Sequence, residues 1–166
     1  MPFVKQKFAS YDAFGKATLA EVYGKENIGN ALHYKARNFA TTYFENIQGK
    51  SFKPKNLHNL AQLSSVNAVL VKDIDKDQNL DIILAGNMYG AEIETPRNDS
   101  SYGMYLKGDG TGKFTPQMSY ESGLFSGGDV KASSFISLFN GKTGIIFGSN
   151  NDFLKLIAIN SENIVR

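Results

Sequence analysis

The 166-residue sequence contains no cysteine and no tryptophan, and it has only two histidines. The absence of cysteine excludes disulfide scaffolds and thiolate metal sites. No apolar run approaches the roughly 20 residues that a membrane-spanning helix needs, so we predict no membrane span. Residues 1–6 also lack the apolar stretch of a signal peptide. The chain is therefore either intracellular or a C-terminal segment whose parent carried the export signal, and we favour the second.

The net charge is low, at +2, and the charged residues are scattered along the chain. The chain has 18 Lys and Arg against 16 Asp and Glu, and no run of five or more like charges occurs. A nucleic-acid-binding arm is therefore not expected, although the pI of about 8.7 would favour such a function if the structure formed a basic stripe. We predict no nucleic-acid partner.

Motifs that indicate catalysis are also missing from the sequence. His33 and His58 have no partner motif, and neither a nucleophile elbow nor a His-Glu-x-x-His zinc motif is present. The tripeptide at 141–143 is not a phosphate-binding loop, because Ile136 occupies the position where that motif requires glycine. We therefore predict no catalytic residue and no enzymatic activity.

Hydrophobic residues make up 42% of the chain and charged residues 20%, which is typical of a globular protein. Residues 10–36 form the one convincing helical stretch, with Ser10 as a possible cap and Gly24 as an interruption. A second short helix is predicted from about 26 to 35. We expect a helical N-terminal segment over 1–37 and a β-rich region over 38–166.

From residue 38 onward, short β-rich runs alternate with turns made of Gly, Asn and Asp. The predicted strands are 39–46, 51–57, 66–72, 80–85, 102–107, 113–118, 133–139, 144–148 and 154–159. Hairpin turns are predicted at Gln48-Gly49 and at 108–112. Asn140-Gly141 is predicted to form a third, two-residue turn.

Two pairs of segments within this region resemble each other. The pairs are 43–52 with 104–114, and 81–87 with 144–150. Phe52 and Phe114 lie 62 residues apart, and Ile82 and Ile145 lie 63 apart. A nearly constant period indicates stacked or radially arranged four-stranded units, as in a β-propeller. The alternative is that similar hairpins occur in antiparallel β-proteins without any true repeat.

The densest charge lies in residues 73–81, Asp-Ile-Asp-Lys-Asp-Gln-Asn-Leu-Asp. Four carboxylates this close repel one another unless a cation lies between them. Hard oxygen ligands on a flexible loop suit Ca²⁺. An EF-hand would need Glu at loop position 12, where this chain has Leu84, and strand-like runs flank the loop instead of helices. The alternative is a solvated acidic turn that holds no ion.

The pattern Asp-x-Asp-x-Asp-Gly-x-x-Asp between short strands resembles the calcium loop of the FG-GAP/VCBS repeat family, the repeat of integrin-type β-propellers. Residues 80–87 resemble the family's Leu-Asp-hydrophobic-strand-Gly-Asn ending, and 108–114 resemble its Gly-Asp-Gly-x-Gly-x-Phe hairpin. The resemblance covers about 38–160 and is closest over 61–130. It is similar to the C-terminal blades of an exported bacterial VCBS-repeat protein.

This resemblance implies a mainly β fold of antiparallel β-propeller-type blades, about two in number, with the helical N-terminal segment. It also implies one bound Ca²⁺, whose ligands would be the side chains of Asp73, Asp75, Asp77 and Asp81 and the carbonyl of Asn79. One departure is Gln78, which stands where the family has Gly at loop position 6. If that position is left-handed, a non-glycine residue costs roughly 1–2 kcal/mol. The matching turn at 139–143 has no aspartate, which indicates a structural role for the ion.

The implied function is a non-catalytic, calcium-stabilised extracellular or cell-surface module for binding or adhesion, as part of a larger propeller. The alternative is an accessory domain of a secreted carbohydrate-active enzyme, which would require a carboxylate pair or a histidine facing a cleft. The partner would be a protein or a glycan, and exposed blade edges would favour self-association. The long segment 88–101, with Glu92 and Glu94, is expected to act as a structural clamp or to bind a partner.

Overall fold

The computed structural model describes residues 2–160, without the side chain of Asn140. The chain forms two compact units, Met1–Phe39 and Ala40–Arg166. Helices make up the first unit and antiparallel sheets dominate the second. The predicted mainly β fold with a helical N-terminal segment is therefore confirmed. None of the helices within 2–160 has the length and apolar character needed to cross a bilayer.

The N-terminal unit contains four short helices: α1 Pro2–Lys7, α2 Tyr11–Lys16, α3 Leu19–Tyr23 and α4 Lys25–Asn30. Ser10 caps α2 as predicted, because its hydroxyl accepts the Ala13 N–H at 3.2 Å. Thr18 and Glu21 form a reciprocal capping box on α3. Gly24 separates α3 from α4 with φ of +88°, a conformation that glycine adopts without strain.

The helices differ from the predicted ones at two places. Helix α1 was not predicted as a separate element, because its six residues are too few to show helical periodicity, although Pro2 occupies the first helical position, which favours proline. The helix predicted over 26–35 ends at Asn30, where Ala31 turns to extended backbone. Gly29 and Asn30 are weak helix formers. The helix therefore ends there, although the spacing of apolar residues predicted that it would continue to residue 35.

The β-rich unit contains all nine predicted strands, with ends shifted by up to three residues. They are β1 Thr42–Ile47, β2 Ser51–Asn56, β3 Val66–Lys72, β4 Asp81–Gly86, β5 Met104–Gly108, β6 Phe114–Gln117, β7 Val130–Ser137, β8 Thr143–Ser149 and β9 Lys155–Ala158. A short helix, α5 Ser119–Ser122, and 3₁₀ turns at Asn59–Gln62 and Phe139–Gly141 complete the unit.

These strands form three sheets in which all neighbours are antiparallel. They are the first hairpin β1-β2, the four-stranded sheet β3-β4-β5-β6 and the three-stranded sheet β7-β8-β9. The β3–β4 and β7–β8 pairs share an irregularity near the start, at Val66/Ala68 and at Val130/Ala132. The segments that resemble each other in sequence thus occupy equivalent places in two sheets.

The core lies on both faces of the four-stranded sheet. Ile83 and Tyr105 face the three-stranded sheet, where Ile145 and Phe147 pack against them. Alternate residues of the same strands, such as Leu106, pack on the opposite face near the first hairpin. Fully burying one such side chain contributes about 1.5–3 kcal/mol, so these two layers hold the sheets together.

The predicted turn at Gln48-Gly49 is present, with both residues at positive φ and the Lys50 N–H bonded to the Ile47 carbonyl at 3.0 Å. Positive φ at both central positions matches the turn types whose twist suits a hairpin. The 108–112 turn also closes its hairpin, between β5 and β6.

The two-residue turn predicted at Asn140-Gly141 was wrong. The connection between β7 and β8 is a 3₁₀ turn over Phe139–Gly141, closed by the Leu138 N–H bonded to the Lys142 carbonyl at 2.7 Å. A three-residue loop needs only its last residue to be left-handed, and Gly141 supplies that conformation with φ of +71°.

Candidate metal centre

The acidic loop, residues 73–80, joins the adjacent antiparallel strands β3 and β4. It is therefore a strand–loop–strand element, as the flanking apolar runs indicate. Ile74, the second loop residue, is buried and belongs to the core between the four-stranded and three-stranded sheets. This apolar anchor fixes the start of the loop and leaves the neighbouring aspartates at the surface.

Asp81 closes the loop from inside the protein and is fully buried. One carboxylate oxygen accepts the Gly108 N–H at 2.9 Å, and the other accepts the Ile74 N–H at 2.9 Å and the Tyr105 hydroxyl at 3.0 Å. Burial, followed by the negative charge of Asp81, raises the pKa of the Tyr105 hydroxyl. Asp81 thus ties both ends of the loop to β5 and keeps about one free acceptor position.

The outer carboxylates shape the loop through hydrogen bonds to its backbone. Asp73 accepts the N–H groups of Asp77 at 3.1 Å and of Gln78 at 3.0 Å. Asp77 accepts the Asn79 N–H at 2.8 Å. Aspartate side chains that accept hydrogen bonds from backbone N–H groups a few residues further on are held on the inner side of the loop.

Three carboxylates converge on one point. One oxygen from each of Asp73, Asp75 and Asp81 lies within 4.8 Å of the other two. Two oxygens on opposite sides of a calcium ion would lie about 4.6–5.2 Å apart, because Ca–O bonds are about 2.3–2.6 Å long. These three residues could therefore hold a metal ion. Asp77 and Asn79 lie outside this group, and their assignment as ligands remains a prediction.

Lys107 is the residue of this site that the sequence analysis missed. Its ammonium contacts the Asp75 carboxylate and lies 3.1 Å from that of Asp77. Hydrogen bonds to Asp75 and then Asp77 raise the pKa of Lys107. The Asn79 N–H, followed by Lys107, lowers the pKa of Asp77. The only available signal was the alternation along β5, which places Lys107 on the same face as Tyr105.

The backbone of the loop is left-handed at two non-glycine residues. Lys76 has φ of +63° and Gln78 has φ of +72°. Gln78 is the position at which the resembling family has glycine, so its conformation is the strained one that the sequence analysis considered.

The 108–112 hairpin packs directly against the acidic loop. A methyl group at Gly108 would lie 2.1 Å from the Leu80 carbonyl oxygen, and one at Gly110 would lie 2.4 Å from the Asn79 side-chain oxygen. At Gly108 the neighbour is backbone, so only glycine fits; at Gly110 the neighbouring side chain can move, but φ of +77° favours glycine. The first glycine of the Gly-x-Gly pattern is therefore required by packing of the hairpin on the loop, and the second by the left-handed backbone of the turn.

Asn87 joins the four-stranded sheet to the start of the three-stranded one. Its side-chain oxygen accepts the Ser64 hydroxyl at 2.6 Å and the Ser101 N–H at 3.0 Å. Its amide donates to the carbonyls of Ser101 at 2.8 Å and Gly128 at 2.9 Å. Because this buried side chain is fully hydrogen-bonded, the Gly-Asn ending of β4 has a structural role.

The other candidates make local contacts. A ring nitrogen of His33 lies 2.9 Å from the Ile28 carbonyl oxygen, and His58 accepts the Leu60 N–H at 3.2 Å. In the 88–101 segment, Met88 pairs with Asn98, and the Arg97 guanidinium lies 4.5 Å from the centre of the Tyr89 ring. Glu92 and Glu94 are both exposed. These contacts close the segment on itself, and its role as a clamp or as a partner-binding surface stays a prediction.

In comparisons with known proteins, no family model, no curated protein and no solved structure matches this chain.

Proposed function

We propose that this protein is a non-catalytic, calcium-stabilised extracellular module for binding or adhesion, built from repeats of the FG-GAP/VCBS type. The observation that carries the proposal is the convergence of carboxylate oxygens from Asp73, Asp75 and Asp81 within 4.8 Å. Carboxylate oxygens on a loop favour a hard cation, and the flexible geometry of such ligands suits Ca²⁺ better than Mg²⁺.

The full ligand set that we propose comprises the side chains of Asp73, Asp75, Asp77 and Asp81 and the carbonyl of Asn79. Lys107 pairs with Asp75 and Asp77 in this structure, and we expect a bound ion to displace its ammonium from them. Asp81 already receives three hydrogen bonds, so it would contribute its remaining acceptor position.

A structural role for the ion is supported by what surrounds the loop. Asp81 and Ile74 hold the loop between β3 and β4, so a cation there would fix the connection of two core strands. The equivalent connection between β7 and β8, the 3₁₀ turn over Phe139–Gly141, contains no aspartate. An ion would thus stabilise the β3–β4 connection, whereas the equivalent β7–β8 connection is stabilised by a short 3₁₀ turn.

The arrangement of the sheets supports the repeat assignment. The four-stranded sheet is an antiparallel meander, and the first strand of the next sheet, β7, lies beside its first strand, β3. The first hairpin resembles β5–β6 in sequence and packs on it through Tyr43 and Phe114, whose ring centres lie 5.3 Å apart. This order corresponds to one blade flanked by two partial blades.

The test is a calcium titration by calorimetry, combined with thermal melting in Ca²⁺ and in EDTA. We expect the wild type to bind about one ion and to gain stability, about 2.7 kcal/mol at a calcium concentration 100 times Kd. Asp75→Ala should lose both effects, whereas Glu94→Ala, at an exposed carboxylate outside the loop, should keep them. Failure of the wild type to bind Ca²⁺ at millimolar concentrations would refute the calcium site.

A further inference from the structure

A cavity of about 230 Å³ lies where the acidic loop meets the turn between β7 and β8. Its walls come from the end of β3 and the start of the acidic loop, from the turn and the first residue of β8, and from the residues that follow β9. The polar side chains that line it are those of Lys72, Asp73, Lys76, Lys142, Thr143 and Asn160. Three chain segments of the β-rich unit thus each bring polar groups to one cavity.

The walls of this cavity are fixed by packing and by backbone hydrogen bonds. Ile74 is buried in the core between the two larger sheets, and Ile159 packs against the same core. The Ile159 N–H donates to the Thr143 carbonyl at 2.8 Å. The Leu138 N–H donates to the Lys142 carbonyl at 2.7 Å. Because these contacts hold the backbone of the walls in place, a ligand would not have to order them on binding.

Positive charge exceeds negative charge in the cavity. Three lysines and one aspartate line it, which gives a formal charge of +2. The Lys72 ammonium lies 5.1 Å from the centre of the Phe135 ring. Among residues 2–160, neither Lys76 nor Lys142 has an ion pair or a side-chain hydrogen bond. The Asp73 carboxylate already accepts two backbone N–H groups of the acidic loop, so it leaves these lysines without a carboxylate partner.

The acidic loop separates its own charges. Asp75 and Asp77 pair with Lys107 of β5, and neither of them lines the cavity. Lys76 lies between them in the sequence and does line the cavity, with a left-handed backbone at φ of +63°. Non-glycine residues in this conformation are uncommon and are often found at functional sites. The turn of the loop therefore brings a lysine to the cavity while two of its carboxylates contact β5.

We propose that this cavity binds a tetrahedral oxyanion, a sulfate or phosphate group, either as a free ion or as an ester on a glycan. Lysine ammonium groups act on oxyanions as point charges, and three of them around one cavity suit an anion whose oxygens point in several directions. The Thr143 hydroxyl and the Asn160 amide can donate further hydrogen bonds. The volume lies below the roughly 300 Å³ at which pockets for drug-sized ligands begin, so the cavity fits one such group. The glycan ester rests on the binding role proposed above, whereas the anion site itself does not.

The first test is a titration of the isotope-labelled full chain with sodium sulfate, followed by NMR at constant ionic strength in EDTA. EDTA keeps calcium from the acidic loop, so the anion site is measured separately from the calcium site. We expect saturable shifts at the amides of residues 72–76 and 141–143. Lys76→Gln and Lys142→Gln should each weaken binding about tenfold, because each removes one of three charges next to the anion. Lys53→Gln, at an exposed lysine of β2 outside the cavity, should bind like the wild type.

The second test distinguishes the two sources of the anion with sulfated and neutral dextran fragments of equal length. Sulfated fragments that cause the same shifts and compete with free sulfate would support the glycan ester, and shifts with sulfate alone would support the free ion. Neutral dextran should cause no shift. A wild type without saturable shifts at millimolar sulfate would overturn the proposal. Equal weakening by Lys53→Gln and the two cavity variants would overturn it too, since it would indicate diffuse attraction to surface charge. The spectra themselves show whether each variant is folded.

Discussion

At the residue scale, the aspartates of the acidic loop and Asp81, the first residue of β4, have different roles because their surroundings differ. Asp81 is fully buried and receives three hydrogen bonds, so it connects the loop to β5. Asp75 is partly exposed and is paired with Lys107. The lysine is therefore the charge that a bound cation would have to replace.

We predict that Lys107→Met increases the calcium affinity of the loop. A cation entering the site would no longer compete with an ammonium held by Asp75 and Asp77. The gain should be roughly tenfold, which corresponds to about 1.4 kcal/mol. Calorimetric titration measures it, and Lys53→Met, an exposed lysine of β2, should leave the affinity unchanged. Weaker binding by the Lys107 variant would contradict a competing role.

Gln78→Gly should stabilise the protein without calcium. The residue has φ of +72°, where a side chain costs roughly 1–2 kcal/mol and glycine does not. The greater freedom of glycine in the unfolded chain offsets part of this, so the net gain is about 0.5–1 kcal/mol. Urea unfolding in EDTA measures the change. Lys142→Gly, where φ is −69°, should instead destabilise the protein, and an equal loss at both positions would argue against strain at Gln78.

At the element scale, the strands follow from local patterns, but their partners do not. Alternating apolar residues and turn residues were enough to locate every strand. The packing of the 108–112 hairpin on the acidic loop depends instead on distances across 28 residues, from Leu80 to Gly108. In the sequence Gly108 indicates only a turn, whereas in the structure its backbone also lies in close contact with the Leu80 carbonyl.

Gly108→Ala should therefore destabilise the protein well beyond the usual effect of adding one methyl group. The methyl carbon would lie 2.1 Å from the Leu80 carbonyl oxygen, and backbone atoms cannot move away without separating β5 from the loop. We expect a loss of about 1–3 kcal/mol, measured by urea unfolding. Gly90→Ala is the matched control, since nothing lies within 4 Å of the added carbon. Equal stability of the two variants would show that the hairpin and the loop are not in contact.

At the scale of the whole molecule, hydrogen bonds join the sheets in addition to the apolar core. Asn67 donates to the carbonyls of Asn87 at 2.8 Å and Val130 at 2.9 Å, and so bridges the starts of the two larger sheets. The buried carboxylate of Asp129 lies 2.6 Å from the ammonium of Lys131, which lowers the pKa of Asp129. Because Asp129 is titratable and its pKa is shifted, the stability of the protein depends on pH.

We expect stability to be lost in acid. The pKa of Asp129 in the folded protein lies below the unfolded value of about 3.9, as do those of Asp77 and Asp109. The unfolded chain then binds more protons than the folded one, so this stabilisation is complete above about pH 5 and declines as the pH falls through the folded pKa values. Urea midpoints at pH 7, 5 and 3 measure the decline. Asp129→Asn and Lys131→Met should both make it shallower, and a midpoint that does not change with pH would contradict the argument.

The sequence by itself determined the mainly β class, the nine strands, the helical N-terminal segment and the acidic loop. These features depend on residue order over a few positions, through side-chain alternation, turn residues and clustered charge. The helix ends and the three-residue turn over Phe139–Gly141 were decided by small local preferences that periodicity does not resolve.

Only the tertiary structure decided which residues from distant strands meet. It placed Lys107 on Asp75 and Asp77, the Tyr105 hydroxyl on Asp81, and the Gly108 backbone against Leu80. It also covered Ile83 with the three-stranded sheet, where Ile145 and Phe147 pack in the same core. These contacts depend on strand register and sheet stacking, which bring together residues far apart in the chain, and no local pattern contains that information.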